Sequence, residues 1–143
     1  MRLRRLLRLT PSDVALLCHA VLILLWIRFS LLLRPWNRFA SPAAQTHSVR
    51  AVKPDVDRLE WAVIAAGRFI PRTTCLTRAL TLHRLLSRYG YRSNVQFGIR
   101  HADSRFAAHA WVEHEARLLL SKPADIARYV RLFSWPPSQP DLS

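Results

Sequence analysis

The chain has 143 residues, half of them apolar, with 22 basic residues against nine acids and a net charge of +13. That length suits one compact domain, and that apolar content excludes a disordered polymer. Three glycines and two distant cysteines exclude a glycine-rich phosphate loop, a paired-cysteine metal site and a disulfide scaffold, which makes the cytosol the natural setting.

The charge is unevenly placed. Nine basic residues and one acid precede Pro54, a net of +8, whereas the rest of the chain has thirteen and eight, a net of +5. Such a field favours anionic partners: an acidic peptide or protein, nucleic acid, or a membrane surface.

In chain order, Arg2, Arg4, Arg5 and Arg8 precede an apolar run over residues 14–27 that only His19 interrupts. Arg28 breaks the run, residues 29–33 resume it, and Arg34 and Pro35 end it. A spanning helix needs about 20 apolar residues, a length reached here only by including Arg28. No small-residue cleavage site follows, and Thr10, Pro11 and Asp13 form a capping-box-like start. Residues 11–33 therefore read as a long helix buried in the domain or against a partner. A membrane-surface helix is the next reading and a cleaved signal the least favoured. Cys18 and His19 on this helix are expected to be core residues.

Residues 37–53 have little periodicity and read as a linker. Pro54 and Asp55 open a second helix with a stripe of Val56, Leu59, Val63, Ala66 and Ile70 at spacings of three and four. Thr73 or Thr74 caps a third, which runs to Tyr89 and stops at Gly90. Its stripe is Leu76, Ala79, Leu80, Leu82, Leu86 and Tyr89. The period then changes to two. Val95, Phe97 and Ile99 mark one strand, residues 107–114 a second and 117–120 a third, joined as an antiparallel meander. Ile126, Tyr129, Val130 and Phe133 predict a last short helix, and residues 134–143 a disordered tail.

Cys75 falls in the first turn of the third helix. Unpaired N–H groups and a partial positive charge at such a terminus stabilise a thiolate and can hold the oxyanion of an acyl-transfer intermediate. A lone cysteine is more often a small core residue, and His109 changes that weighing. It stands on the second strand with Trp111 and Glu113 on one face, while Ala110, Val112 and His114 occupy the other. A helix-start cysteine followed by a strand histidine is the papain-type order for an activated thiolate. His83, His101 and His114 read as structural or peripheral, Trp61 as a packing residue, and the scattered arginines as solvated faces or a docking surface rather than a nucleic-acid site. No HExxH spacing suggests a metal.

Cys75-Leu76-Thr77-Arg78-Ala79-Leu80, then Gly90-Tyr91, then His109-Ala110-Trp111-Val112-Glu113, together resemble the transglutaminase-like superfamily. The specific likeness is to the stand-alone leader-peptidase half of lasso-peptide biosynthesis B proteins. The resemblance implies an α+β, papain/transglutaminase-like fold, with the cysteine-bearing helix on a small antiparallel sheet. It divides the chain into a basic N-terminal segment (1–53), a cysteine peptidase domain (54–133) and a tail (134–143). It implies removal of the leader from a ribosomally made precursor, with Cys75 as nucleophile, His109 as general base and acid, and no cofactor. Its implied partners are the precursor, a separate leader-recognition protein and the ATP-dependent lasso cyclase. Ser121 stands where the family places the aspartate that orients the histidine. Asp125 is the nearest downstream acid, though it also fits the first turn of the last helix.

Overall fold

A computed structural model describes residues 10–33 and 53–136. The elements are α1 (Pro11–Leu33), α2 (Val56–Phe69), α3 (Cys75–Arg88), β1 (Asn94–Ala102), β2 (Arg105–His114), β3 (Arg117–Leu119), α4 (Pro123–Ile126) and β4 (Val130–Trp135). The fold is α+β: a long N-terminal helix, two further helices and a four-stranded antiparallel sheet in the order β3-β2-β1-β4.

The helices begin where their caps dictate. The Asp13 carboxylate accepts from the Thr10 amide at 3.1 Å, Asp55 accepts from the Arg58 amide at 2.8 Å, and Thr74 accepts from the Thr77 amide at 3.2 Å. Each satisfies an N–H that the helix itself leaves without a partner. Gly90, at φ 80°, ends α3 with its N–H on the Ser87 carbonyl.

The helices pack on one another and on one face of the sheet. Leu16, Ala20, Leu24 and Ile27 of α1 join Leu59 and Val63 of α2, Leu82 and Leu86 of α3, and Val95, Ala110, Val112 and Leu119 of the sheet. Burying each large aliphatic side chain contributes roughly 1.5–3 kcal/mol. One face of α1 is thus part of the domain. Cys18, expected in the core, is exposed: it lies half a helical turn from the Leu16–Ala20 row, on the opposite side of the helix.

The last predicted helix is instead a single turn, α4, followed by strand β4. Ile126, Tyr129, Val130 and Phe133 are spaced as a helix requires, but the outer edge of β1 needs a partner. Val130, Phe133, Ser134 and Trp135 supply it, with Phe133 stacked on Phe97 at 4.5 Å between ring centroids. Ser134 and Trp135 therefore belong to the sheet rather than to a tail. The rest of the tail from residue 137, and the linker up to residue 52, lie outside the described residues.

His83 is half-buried on α3, its Nδ1 2.8 Å from Ser93 Oγ and its ring edge-on to Trp135. Burial pushes its pKa down to about 4, and the Ser93 contact opposes the shift only partly. Because the folded value lies below the ordinary 6.5, the unfolded chain takes up this proton first as pH falls. The contribution is fully present above pH 6.5 and is lost down to about pH 4, roughly 3 kcal/mol in all. Urea unfolding should show a smaller loss of stability from neutral to acid pH in His83→Gln than in the parent; parallel losses would refute this. Separately, a Cβ on Gly98 would lie 2.9 Å from the Trp111 ring and 3.1 Å from the Val130 carbonyl oxygen. Gly98→Ala should cost about 1–3 kcal/mol in the same measurement; an unchanged midpoint would contradict the β1–β4 packing.

Candidate active site

Cys75 is the first residue of α3 and is half-buried against the core. Of the two threonines before it, Thr74 is the cap and Thr73 latches the preceding turn. Thr73 Oγ1 donates to the Gly67 carbonyl at 3.1 Å and accepts from Arg78 Nη2 at 3.2 Å. Gly67 has a packing reason to lack a side chain, since a Cβ there would come 2.8 Å from Arg78 Nε. The sequence motif around Cys75 therefore contains its own positioning device, in which Arg78 reaches back to the loop that delivers the cysteine.

His109 sits on β2 opposite Gly98 of β1. Strand alternation sends Ala110 and Val112 into the helical core and puts His109, Trp111 and Glu113 on the other face. Trp111 is fully buried there and backs the imidazole, with ring centroids 5.9 Å apart and planes 29° from parallel. Glu113 accepts from Trp111 Nε1 at 3.3 Å and Gln96 Nε2 at 3.2 Å, and pairs with Arg131 at 2.6 Å. Each alternate residue of the His-Ala-Trp-Val-Glu run thus supports the previous one: Glu113 fixes Trp111, and Trp111 fixes one side of His109.

The segment after β3 crosses this face. Ser121 Oγ lies 2.8 Å from His109 Nε2, so the position where an aspartate was expected does contact the histidine. Its placement depends on Leu120, whose backbone is left-handed at φ 65° and whose N–H donates to Glu60 Oε1 of α2 at 2.7 Å. An L-residue in that conformation is strained and needs a compensating contact, which the Glu60 carboxylate provides. Tyr129 closes the other side, 5.3 Å from the His109 ring, with the Arg100 guanidinium over it at 5.5 Å.

Together Arg100, His109, Leu120, Ser121, Asp125, Arg128 and Tyr129 line a cleft of about 330 Å³. Asp125 lies in α4, as a helix-start acid should, and also faces this cleft. Its charge raises the His109 pKa, but burial outweighs it and the net shift is downward from 6.5. The surroundings therefore favour the neutral imidazole.

The structure brings His109, Ser121 and Asp125 together. It does not hydrogen bond Cys75 to His109 among the described residues, and Cys75 is not part of the cleft lining. Helix α3 lies on the core face of the sheet. At the level of His109, however, β3 has already ended, since its pairing covers only Val112 to His114. There β2 is the margin of the sheet, and Leu120 both packs on the core and lines the cleft.

The histidines read as structural or peripheral lie outside the cleft lining. His114 is buried with Nδ1 on the Arg92 carbonyl at 2.5 Å, and His101 is exposed with its ring against Phe106. Trp61 packs on the core as expected. No cluster of metal-ligating side chains occurs among the described residues. Glu60, Gly67, Arg100 and Tyr129 were not legible as site residues; only Glu60 left a trace, as an acid beside an apolar stripe.

Because Asp125 opposes the effect of burial, Asp125→Asn should lower the His109 pKa further. NMR titration of the imidazole resonances checks this; a raised or unmoved value would show that Asp125 does not act on His109.

The family model of the transglutaminase-like superfamily matches residues 15–134. No curated protein and no solved structure matches the chain. The matched span takes in α1 as well as the cysteine helix and the histidine strand, and the chain belongs to the transglutaminase-like superfamily.

Proposed function

We propose that the protein is a cysteine peptidase that removes the leader from a ribosomally synthesised lasso-peptide precursor. The observation that carries this reading is the contact of His109 Nε2 with Ser121 at 2.8 Å. With Nε2–H donated to Ser121, Nδ1 bears the lone pair that takes the proton of the Cys75 thiol. The sulfur then bonds to the scissile carbonyl carbon, and the oxyanion is held by N–H groups at the start of α3. Collapse breaks the C–N bond, and the imidazolium returns its proton to the leaving amine. A water, deprotonated by His109, hydrolyses the thioester and regenerates the thiol. For this the thiol and the imidazole must be brought together, a motion that binding of an extended peptide would drive.

The role of the family's aspartate is divided here. Ser121 supplies the hydrogen bond that orients the ring, and Asp125 supplies negative charge through space. A hydroxyl stabilises an imidazolium less than a carboxylate does, so turnover is expected to be slow. The precursor, a separate leader-recognition protein and the ATP-dependent cyclase complete the proposed assembly.

A second reading is favoured by the lack of a Cys75–His109 hydrogen bond: a catalytically weak scaffold that docks precursor or partner. One experiment separates them. Incubating precursor and leader-recognition protein with the chain should release the leader. Cys75→Ala should abolish release, and Ser121→Asp should raise it by about tenfold or more. Binding with no cleavage, or a rate unchanged by Cys75→Ala, would select the scaffold.

A further inference from the structure

Helix α1 is apolar on two opposite sides. At about 100° per residue, the buried row of Leu16, Ala20, Leu24 and Ile27 faces the other helices. Val14, Cys18, Leu22, Trp26, Phe29 and Leu33 form a second row, exposed along the full 23-residue length; Leu22 is 66% and Phe29 61% exposed. A helix packed on the domain along one whole side cannot be ringed by lipid, so it does not cross a bilayer while the domain is folded. It can lie flat on one.

We propose that this outer face of α1 docks on an anionic lipid bilayer, with the helix in the plane of the headgroups. Charge complementarity carries the choice of occupant. The only acid of α1, Asp13, is paired with Arg58. The Arg84 guanidinium lies over the Trp26 ring at 4.4 Å, a cation beside an indole of the kind that sits at headgroup level. Arg28 donates to the Pro71 carbonyl, which sets the α2–α3 turn beside this helix, with exposed Phe69 flanked by Arg68 and Arg72. In sequence, Arg2, Arg4, Arg5 and Arg8 precede the helix and Arg34 and Arg38 follow it. An exposed apolar row with cations near it in space and in sequence suits a surface that offers both hydrocarbon and anionic headgroups. A second copy of a chain with net charge +13 would be repelled from the same face.

The test uses the full chain with Cys75→Ala, so that a polarity-sensitive fluorophore can be attached at exposed Cys18 alone. It is mixed with vesicles of phosphatidylcholine, with or without phosphatidylglycerol. The label should shift to the blue and the protein co-sediment with the anionic vesicles, with affinity about tenfold or more weaker on the neutral ones and reduced by added salt. Adding Leu22→Ser and Phe29→Ser, both at exposed positions, should weaken binding by about tenfold or more with an unchanged circular dichroism spectrum. No binding of the parent to anionic vesicles, or equal binding by the doubly substituted protein, would overturn the proposal. So would a parent that ignores vesicles but dimerises through this face in sedimentation velocity, with the dimer lost in the same variant. None of these readouts depends on peptidase activity.

Discussion

The period of two along β2 governs most of what surrounds it. Ala110 and Val112 anchor the sheet to three helices, while the residues between them build the wall of a cleft on the opposite side. A one-residue slip in this strand would exchange the two sets, sending an imidazole and a carboxylate into an aliphatic core. Two features of β1 pin the register: the ladder from Asn94–Glu113 to Ala102–Arg105, and the seat of Trp111 over Gly98. The core and the cleft are therefore specified by the same strand. The aliphatic core and the candidate site draw on different faces of one element.

Much of this was legible in residue order, and the reason is local physics. Caps, periodicity and the Gly90 stop are short-range signals, so all three long helices and the three-stranded meander could be read directly. The Cys-helix and His-strand also carry their motifs in contiguous runs. What could not be read is set by contacts distant in sequence. Strand β4 is a strand because β1 has an open edge, and its own residues are equally spaced for a helix. Cys18 is exposed because α1 offers two apolar faces, and sequence does not say which one the domain takes. Glu60 and Leu120 are 60 positions apart and meet only in the folded chain.

The cleft is built from contacts that link distant parts of the chain. Ser121 reaches the ring nitrogen because the backbone at Leu120 turns left-handed, and that turn is held from α2 rather than from the strand itself. The orientation of the imidazole is consequently linked to the placement of α2. Arg78 plays the matching part for Cys75, reaching over Gly67 to the turn that precedes it. Both Cys75 and His109 are thus placed by contacts from residues distant in sequence or from the neighbouring turn.

The two tight connections of the meander have a kinetic corollary. Asp103 and Ser104, like Glu115 and Ala116, all have positive φ, at 46° and 67° and at 46° and 62°. Two-residue hairpin loops of that geometry are ordinarily made by Asn-Gly or Asp-Gly; Asp103 suits its position, whereas Ser104, Glu115 and Ala116 are strained there by roughly 1 kcal/mol or more each. These loops are expected to close once cross-strand partners and the Trp111 seat are in place, rather than to nucleate their hairpins. The ribbon bearing the histidine is expected to condense late, onto helices already assembled.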